Sequence, residues 1–422
     1  MEKIINFQKN KVNFLFVRKN LPSITVLILV RSGTEYEHKK INGISHFLEH
    51  LCFKGTKNYP TPQSLLAEFD NLGINYNAFT SYEYIGYWAR GSYEQFKKII
   101  FLVGDILLNP LFASEEIEKE KGVVIEEINL YKDTPSRYIW DLFLETIFQN
   151  QPAGWPISGS EENIKNITRN DILNFYKKFY VSPNILVTVA GPIKNKDIEY
   201  TIDIFKDVPS GQKAIKYKFQ QPKLPKIKIL FKETNQYHLG VGFPSVSLTS
   251  KFYWHYNLLA NLIGGMMSSP MFERVRSKMG AAYYIRTENE SFIDHGFFAT
   301  FAGLKKELLI DGLEEILKVF QETKFKISEE DFERAKSNFL GRFIIDLETS
   351  NDLAWFYGLN KLLTDRIEKP KEIILKIKQI NKIELIEVAK KTFRKENIAL
   401  SIIGDLKDSF KKIKTLIDKI IK

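Results

Sequence analysis

The sequence predicts an α+β fold of two homologous domains, each a mainly antiparallel sheet with helices packed on it, arising by internal duplication. Three observations predict it: a long-range repeat, short connections between apolar strands, and an acid-free stretch near the middle. The repeat sets ITRNDILNFYKKFYVSPNILVTVAG, residues 167–191, against INKIELIEVAKKTFRKENIALSIIG, residues 380–404, without a gap at an offset of 380 − 167 = 213. Ile167, Lys177, Lys178, Asn184, Ile185 and Gly191 fall on Ile380, Lys390, Lys391, Asn397, Ile398 and Gly404. Each copy reads as a helix, a turn and a β-branched strand ending at glycine. Identities at the turn positions favour duplication over convergence on a shared helix-strand pattern.

In chain order, the first half opens with apolar runs at residues 12–17 and 24–30, read as strands. The tight connection RKNLPS between them favours antiparallel pairing and hence α+β over a doubly wound sheet. The second half opens in the same way at residues 227–231 and 239–243. Between the halves, VPSGQKAIKYKFQQPKLPK holds three prolines and four lysines by Lys223, with no acid, which is the composition of a linker. The expected division is a domain at 1–208, a linker at 209–226 and a homologous domain at 227–422.

At 422 residues and 44% hydrophobic content the chain can bury two cores. Its one cysteine, Cys52, excludes an intrachain disulfide and, lying between Leu51 and Phe53, reads as packing. The amino-terminal stretch lacks an uninterrupted apolar core and a small-residue cleavage site, and the longest apolar run, ITVLILV, is strand-sized. The net charge of +10 comes from lysines interleaved with acids, as on a solvated surface. These features give the expectation of a cytoplasmic protein that binds neither nucleic acid nor membrane.

The chemistry gathers in GISHFLEHLCFKGT, which begins at Gly43 and holds two of the chain's six histidines. On a helix turning about 100° per residue, His46 and His50 lie some 40° apart with Glu49 on the same side. Ile44, Leu48, Leu51 and Cys52 take the other side. Two imidazoles four residues apart can each direct a nitrogen at one zinc ion, with Glu49 within reach of a metal-bound water. The order H-x-x-E-H is that of the inverted zincins. Taken alone, it fits equally a histidine pair stacked on a polar helix face.

A catalytic zinc site needs a third protein ligand, and SEEIEKEKGVVIEEINLYKD offers one. It reads as a helix capped by Ser114, with Glu115 and Glu116 in the first turn. With Ile117 at zero, Val124, Ile128 and Tyr131 fall within about 40°, and Val123 and Leu130 near −120° to −140°. Glu120 and Glu127, at about −60° and −80°, stand inside that apolar stripe, whereas Glu126 points to solvent near 180°. Two carboxylates in a core-facing stripe need a cation, which is either a metal or a lysine or arginine.

These blocks, with NAFTSYEY from Asn77, resemble in order and spacing the inverted-zincin metallopeptidases that include pitrilysin, insulin-degrading enzyme and the mitochondrial processing peptidase. The resemblance spans nearly the whole chain, and it explains the duplication, because members are tandem copies of one α+β domain with the metal only in the first. It implies that His46, His50 and Glu127 bind zinc, that Glu49 is the general base and that Glu120 assists. Asn77 and Ala78 match an edge strand that holds peptide by strand addition. In the second half, RVRSKMGAAYY resembles the family's Arg/Tyr pair, making Arg276 and Tyr283 contacts for the substrate and the developing oxyanion. The implied protein is a zinc endopeptidase cleaving short or unfolded peptides inside a homodimeric chamber. The alternative is a non-catalytic structural or binding subunit of the same family, against which the intact Glu49 argues.

Overall fold

The computed structural model describes residues 2–406 and 410–421. The chain forms two compact units, and each takes in one segment from the other half of the sequence. The first comprises Met1–Asn129, Trp155–Lys218 and Ile345–Glu368; the second comprises Leu130–Gly154, Phe219–Ile344 and Lys369–Lys422. Both are sheets carrying helices, so the fold is α+β, as the sequence predicts.

The strands of the first unit are β1 (Lys3–Lys9), β2 (Val12–Arg18), β3 (Ser23–Val30), β4 (Asn75–Thr80), β5 (Ile85–Ser92) and β6 (Ile185–Gly191). They lie in the order β1-β2-β6-β3-β5-β4. The sheet is buried on both faces, which is why ITVLILV is apolar throughout. Ile24, Val26, Ile28 and Val30 enter one core, while Leu27 and Leu29 join Leu15, Val17 and Leu186 in another. That second face is covered by the helix Ser350–Thr364, through Leu353, Ala354 and Tyr357. Ser350 Oγ also bonds the hydroxyls of Ser23 at 2.8 Å and Thr25 at 2.9 Å.

One reading of this sheet needs correction. Strands β2 and β3 do not pair with each other: β6 lies between them, parallel to β2 and antiparallel to β3. The helix-strand unit that ends the half returns to the middle of the sheet, a long-range event that a short connection cannot announce. The edge strand β1 went unread because its apolar side chains do not mark a single face: Ile5 and Phe7 pack on one core and Ile4 on the other. It pairs with β2 through a two-residue turn at Asn10 and Lys11, both left-handed with φ of 51° and 66°.

The second unit contains β7 (Lys226–Leu230), β8 (Tyr237–Pro244), β9 (Ala282–Ser291), β10 (Gly296–Leu304) and β11 (Ala399–Ile403), in the order β7-β11-β8-β10-β9. Apart from the extra edge strand β1 this is the first sheet again, with β11 parallel to β7 and antiparallel to β8. One face carries the helix Pro135–Phe148, whose Phe143 meets Phe297 and Phe301 edge-on. Gly240 permits that approach, since a Cβ there would lie 2.9 Å from the Phe301 ring and 3.2 Å from the Phe143 Cβ.

The duplication extends to helix caps. Thr168 and Asp171 form a capping box on the helix Arg169–Phe179, and 213 residues later Asn381 and Glu384 form another on Lys382–Thr392.

Candidate metal centre

The histidine helix spans Ile44–Cys52 and lies beside β4 and the helix Arg169–Phe179. Its start is fixed by Gly43, left-handed at φ 99°, where a Cβ would stand 2.7 Å from Ser158 O. The first amides are taken by Glu37, a fully buried carboxylate that accepts from Gly43 N at 2.9 Å, Ser45 N at 2.8 Å and Asn42 Nδ2 at 2.9 Å. This satisfies donors that a helix N-terminus leaves open and places a negative charge where the dipole favours it. Ile44, Phe47, Leu48, Leu51 and Cys52 are buried in the core, so His46, Glu49 and His50 share the remaining, partly open face.

The second contributing helix is Ser114–Lys132. Ser114 is its first residue rather than the cap outside it, a shift of one position. The buried ridge is narrower than the sequence reading: Ile117, Glu120, Val124 and Ile128 are buried, whereas Val123 is 51% and Leu130 60% exposed. Glu127 therefore stands at the border of the ridge, half-buried, and Glu126 is exposed.

Three ligand atoms from these helices converge. His46 Nε2 and His50 Nε2 are 3.3 Å apart, and Glu127 Oε2 lies 3.6 Å from the first and 3.5 Å from the second. Zinc bonds of about 2.0 to 2.1 Å in tetrahedral directions separate ligands by roughly 3.3 Å, so the three atoms are spaced as one ion requires. His50 Nδ1 donates to Glu120 Oε1 at 2.8 Å, which fixes the tautomer and leaves Nε2 with its lone pair. Glu120 is in turn paired with Lys54, 2.6 Å from Oε2. Of the two cations left open for these carboxylates, Glu120 has a lysine and a histidine, while the ion-pair partners of Glu127 are the two histidines.

The ionisation of the cluster follows its burial. Burial, with His50 next, holds His46 down to about 3, so it presents a neutral imidazole. For His50, burial opposes the charge, but the hydrogen bond to Glu120 and the nearby Glu49, Glu120 and Glu127 outweigh it and raise the ring. Glu49 is pushed up to about 7 by burial, tempered by Thr80 and His50 and reinforced by Glu127. Its Oε2 accepts from Thr80 Oγ1 at 2.5 Å. Burial acts against the charge of Glu120, but bonds from His50 and Lys54 prevail and lower its carboxyl.

Asn77 and Ala78 lie on β4, the outermost strand of the first sheet, where Asn77 Oδ1 accepts from Ala78 N at 2.9 Å. Arg276 and Tyr283 belong to the second unit. Arg276 lies in a π-helical turn, Phe272–Lys278, with its guanidinium 4.8 Å from the Phe272 ring centre. Tyr283 is near the start of β9 and 59% exposed. Thr80, Lys54 and Glu37 were missed from the sequence. The only signal was position: Lys54 follows His50 by four residues, and Thr80 is two beyond Ala78.

Comparison with known proteins bears on the family and the fold. The profile described as Insulinase (Peptidase family M16) matches residues 15–161, and that of the Peptidase M16 inactive domain matches residues 166–339. An uncharacterized zinc protease of Rickettsia bellii is 30% identical over 402 residues, 93% of this chain and 96% of that one. The uncharacterized zinc protease YmxG of Bacillus subtilis is 30% identical over 390 residues, 90% and 93% of the two chains. The human mitochondrial-processing peptidase subunit beta is 25% identical over 412 residues, 94% and 83%. Among solved structures, a protease from Helicobacter pylori superposes with a TM-score of 0.89 at 23% identity, over 96% of this chain and 100% of that one, which bears on the fold alone. The chain belongs to peptidase family M16. Among the described residues, no helix is long and apolar enough to cross a membrane.

Proposed function

We propose that the protein is a zinc endopeptidase acting on short or unfolded peptides within a homodimeric chamber. The observation that carries this reading is the convergence of His46 Nε2, His50 Nε2 and Glu127 Oε2 beside Glu49. Zinc, when bound, would lower the pKa of a water and polarise the scissile carbonyl. Glu49 takes a proton from the attacking water and returns it to the leaving amine, while Thr80 holds its Oε2 and leaves Oε1 for that exchange. An extended peptide adds to the outer edge of β4 along Asn77 and Ala78 through backbone hydrogen bonds, which makes binding tolerant of side chains. Arg276 fixes a substrate carbonyl, and the Tyr283 hydroxyl donates to the developing oxyanion. One chain carrying both sets of residues needs only a second copy of itself, hence the homodimer.

The test is metal analysis of the purified protein together with peptide cleavage before and after chelation. About one zinc per chain is expected, with cleavage lost on chelation and restored by zinc. Cleavage that survives complete metal removal overturns the mechanism. A chain that holds no metal and cleaves nothing is the binding subunit instead.

A further inference from the structure

We propose that Lys54 is a positioning residue for the metal ligands, acting through Glu120 on the ring of His50. The inference rests on the metal-centre reading above and concerns what holds the centre in shape. Glu120 is 3% exposed, and a carboxylate that deep needs a partner for each oxygen. The two oxygens are divided: Oε1 accepts from His50 Nδ1 at 2.8 Å, and Oε2 receives Lys54 Nζ at 2.6 Å. Fixing Oε2 fixes the carboxylate plane, which sets the rotation of the imidazole and aims its Nε2 at the ligand position. His46 has no counterpart to this arm, because its buried Nδ1 has no hydrogen-bond partner among the described residues. The orientation of the histidine pair therefore depends on the His50 side.

The lysine is itself held. Its amide donates to Leu51 O at 3.1 Å in the turn that closes the histidine helix. Beyond it, the chain turns at Gly55 with φ 117°, and a Cβ there would stand 2.6 Å from Pro60 O, so the position requires glycine. Thr56 Oγ1 and Asn58 Nδ2 then tie the loop to the buried Asp105 at 2.5 and 2.7 Å. A lysine anchored in this way works as a strut rather than as a mobile surface charge.

The experiment measures zinc affinity by competition with a chromophoric chelator, so its readout is metal retention and not catalysis. Lys54→Met should weaken zinc binding about 10- to 100-fold, the range for partners that orient a ligand from outside the coordination shell. Lys54→Arg, which keeps charge and donors, should stay within about threefold of the parent. Lys119→Met serves as control, since among the described residues Lys119 pairs only with Glu115 and Glu116 at the surface, and it should leave affinity unchanged. Because the effect runs through Glu120, Lys54→Met combined with Glu120→Gln should bind zinc no more weakly than Glu120→Gln alone. Circular dichroism of the metal-free variants separates loss of metal from loss of fold, and Lys54→Gln carries the same test if Lys54→Met does not fold. Parental affinity in a folded Lys54→Met, or losses that add in the double variant, would overturn the inference. A parent protein that binds no zinc would instead overturn the metal centre itself.

Discussion

Glu126 and Glu127 are adjacent in sequence and opposite in circumstance, since one is exposed and the other meets two histidines. Glu127→Gln is expected to lower zinc occupancy sharply, by about tenfold or more at limiting metal, and Glu126→Gln to leave it near the parent value. Equal losses in elemental analysis would mean the helix is out of phase. Glu49→Gln is expected to keep its zinc and lose nearly all hydrolysis, on the order of 10²-fold or more, because the proton acceptor goes while the three ligands stay. Peptide cleavage by that variant at the parental rate would remove Glu49 from the mechanism. The candidate ligands are legible because helical phase is a local property, and four-residue spacing with a clustered apolar side is visible in the letters alone. Thr80 and Lys54 are not, because they meet Glu49 and Glu120 across 31 and 66 residues of chain, and only the fold makes those pairs neighbours. The phase reading also failed at Val123 and Leu130, whose apolar character does not imply burial near the end of an amphipathic helix.

Elements repeat more faithfully than residues do. The copied capping boxes and the copied central strands β6 and β11 sit at one offset, the same one at which identities at the turn positions carry the duplication in the sequence. Less legible were the helices Pro135–Phe148 and Ser350–Thr364, which each pack on a sheet built mainly from the other half. Their apolar faces state that they are buried and not against which sheet. In the second sheet, β8 places His238 at 4% exposure, its Nδ1 2.9 Å from the Tyr284 hydroxyl on β9. Burial lowers this imidazole from 6.5 to about 4. Below 6.5 the unfolded chain takes up a proton that the folded sheet refuses until about pH 4. Stability should therefore fall as pH drops through that window, by up to ~1.4 kcal/mol per pH unit from this group. His238→Gln, which can still reach the tyrosine, should flatten the acid side of the stability curve by up to ~3 kcal/mol between neutral pH and pH 4 in denaturant titrations, whatever it costs at neutral pH. A variant curve parallel to the parent's would show that another group sets the acid limit.

At the scale of the whole molecule the question is which chains build one active site. In the proposed homodimer, the family resemblance implies that the Arg/Tyr pair faces the metal across the chamber. In a two-domain chain this would assign Arg276 and Tyr283 to the metal centre of the other subunit. A twofold dimer then has two composite sites, each using the first half of one chain and the second half of its partner. Glu49→Gln protein and Arg276→Ala protein, each inactive alone, are mixed in equal amounts under conditions that allow subunits to exchange. In a mixed dimer one site carries both lesions and the other carries none. Random exchange makes about half the dimers mixed, and half the sites in those are intact, so about a quarter of parental activity should return. If each chain built its own site, every site would keep one lesion and nothing would return. Native mass spectrometry must first establish that exchange has occurred. Activity then no higher than that of the two variants measured separately would rule out the shared site and place Glu49 and Arg276 in one chain's catalytic unit.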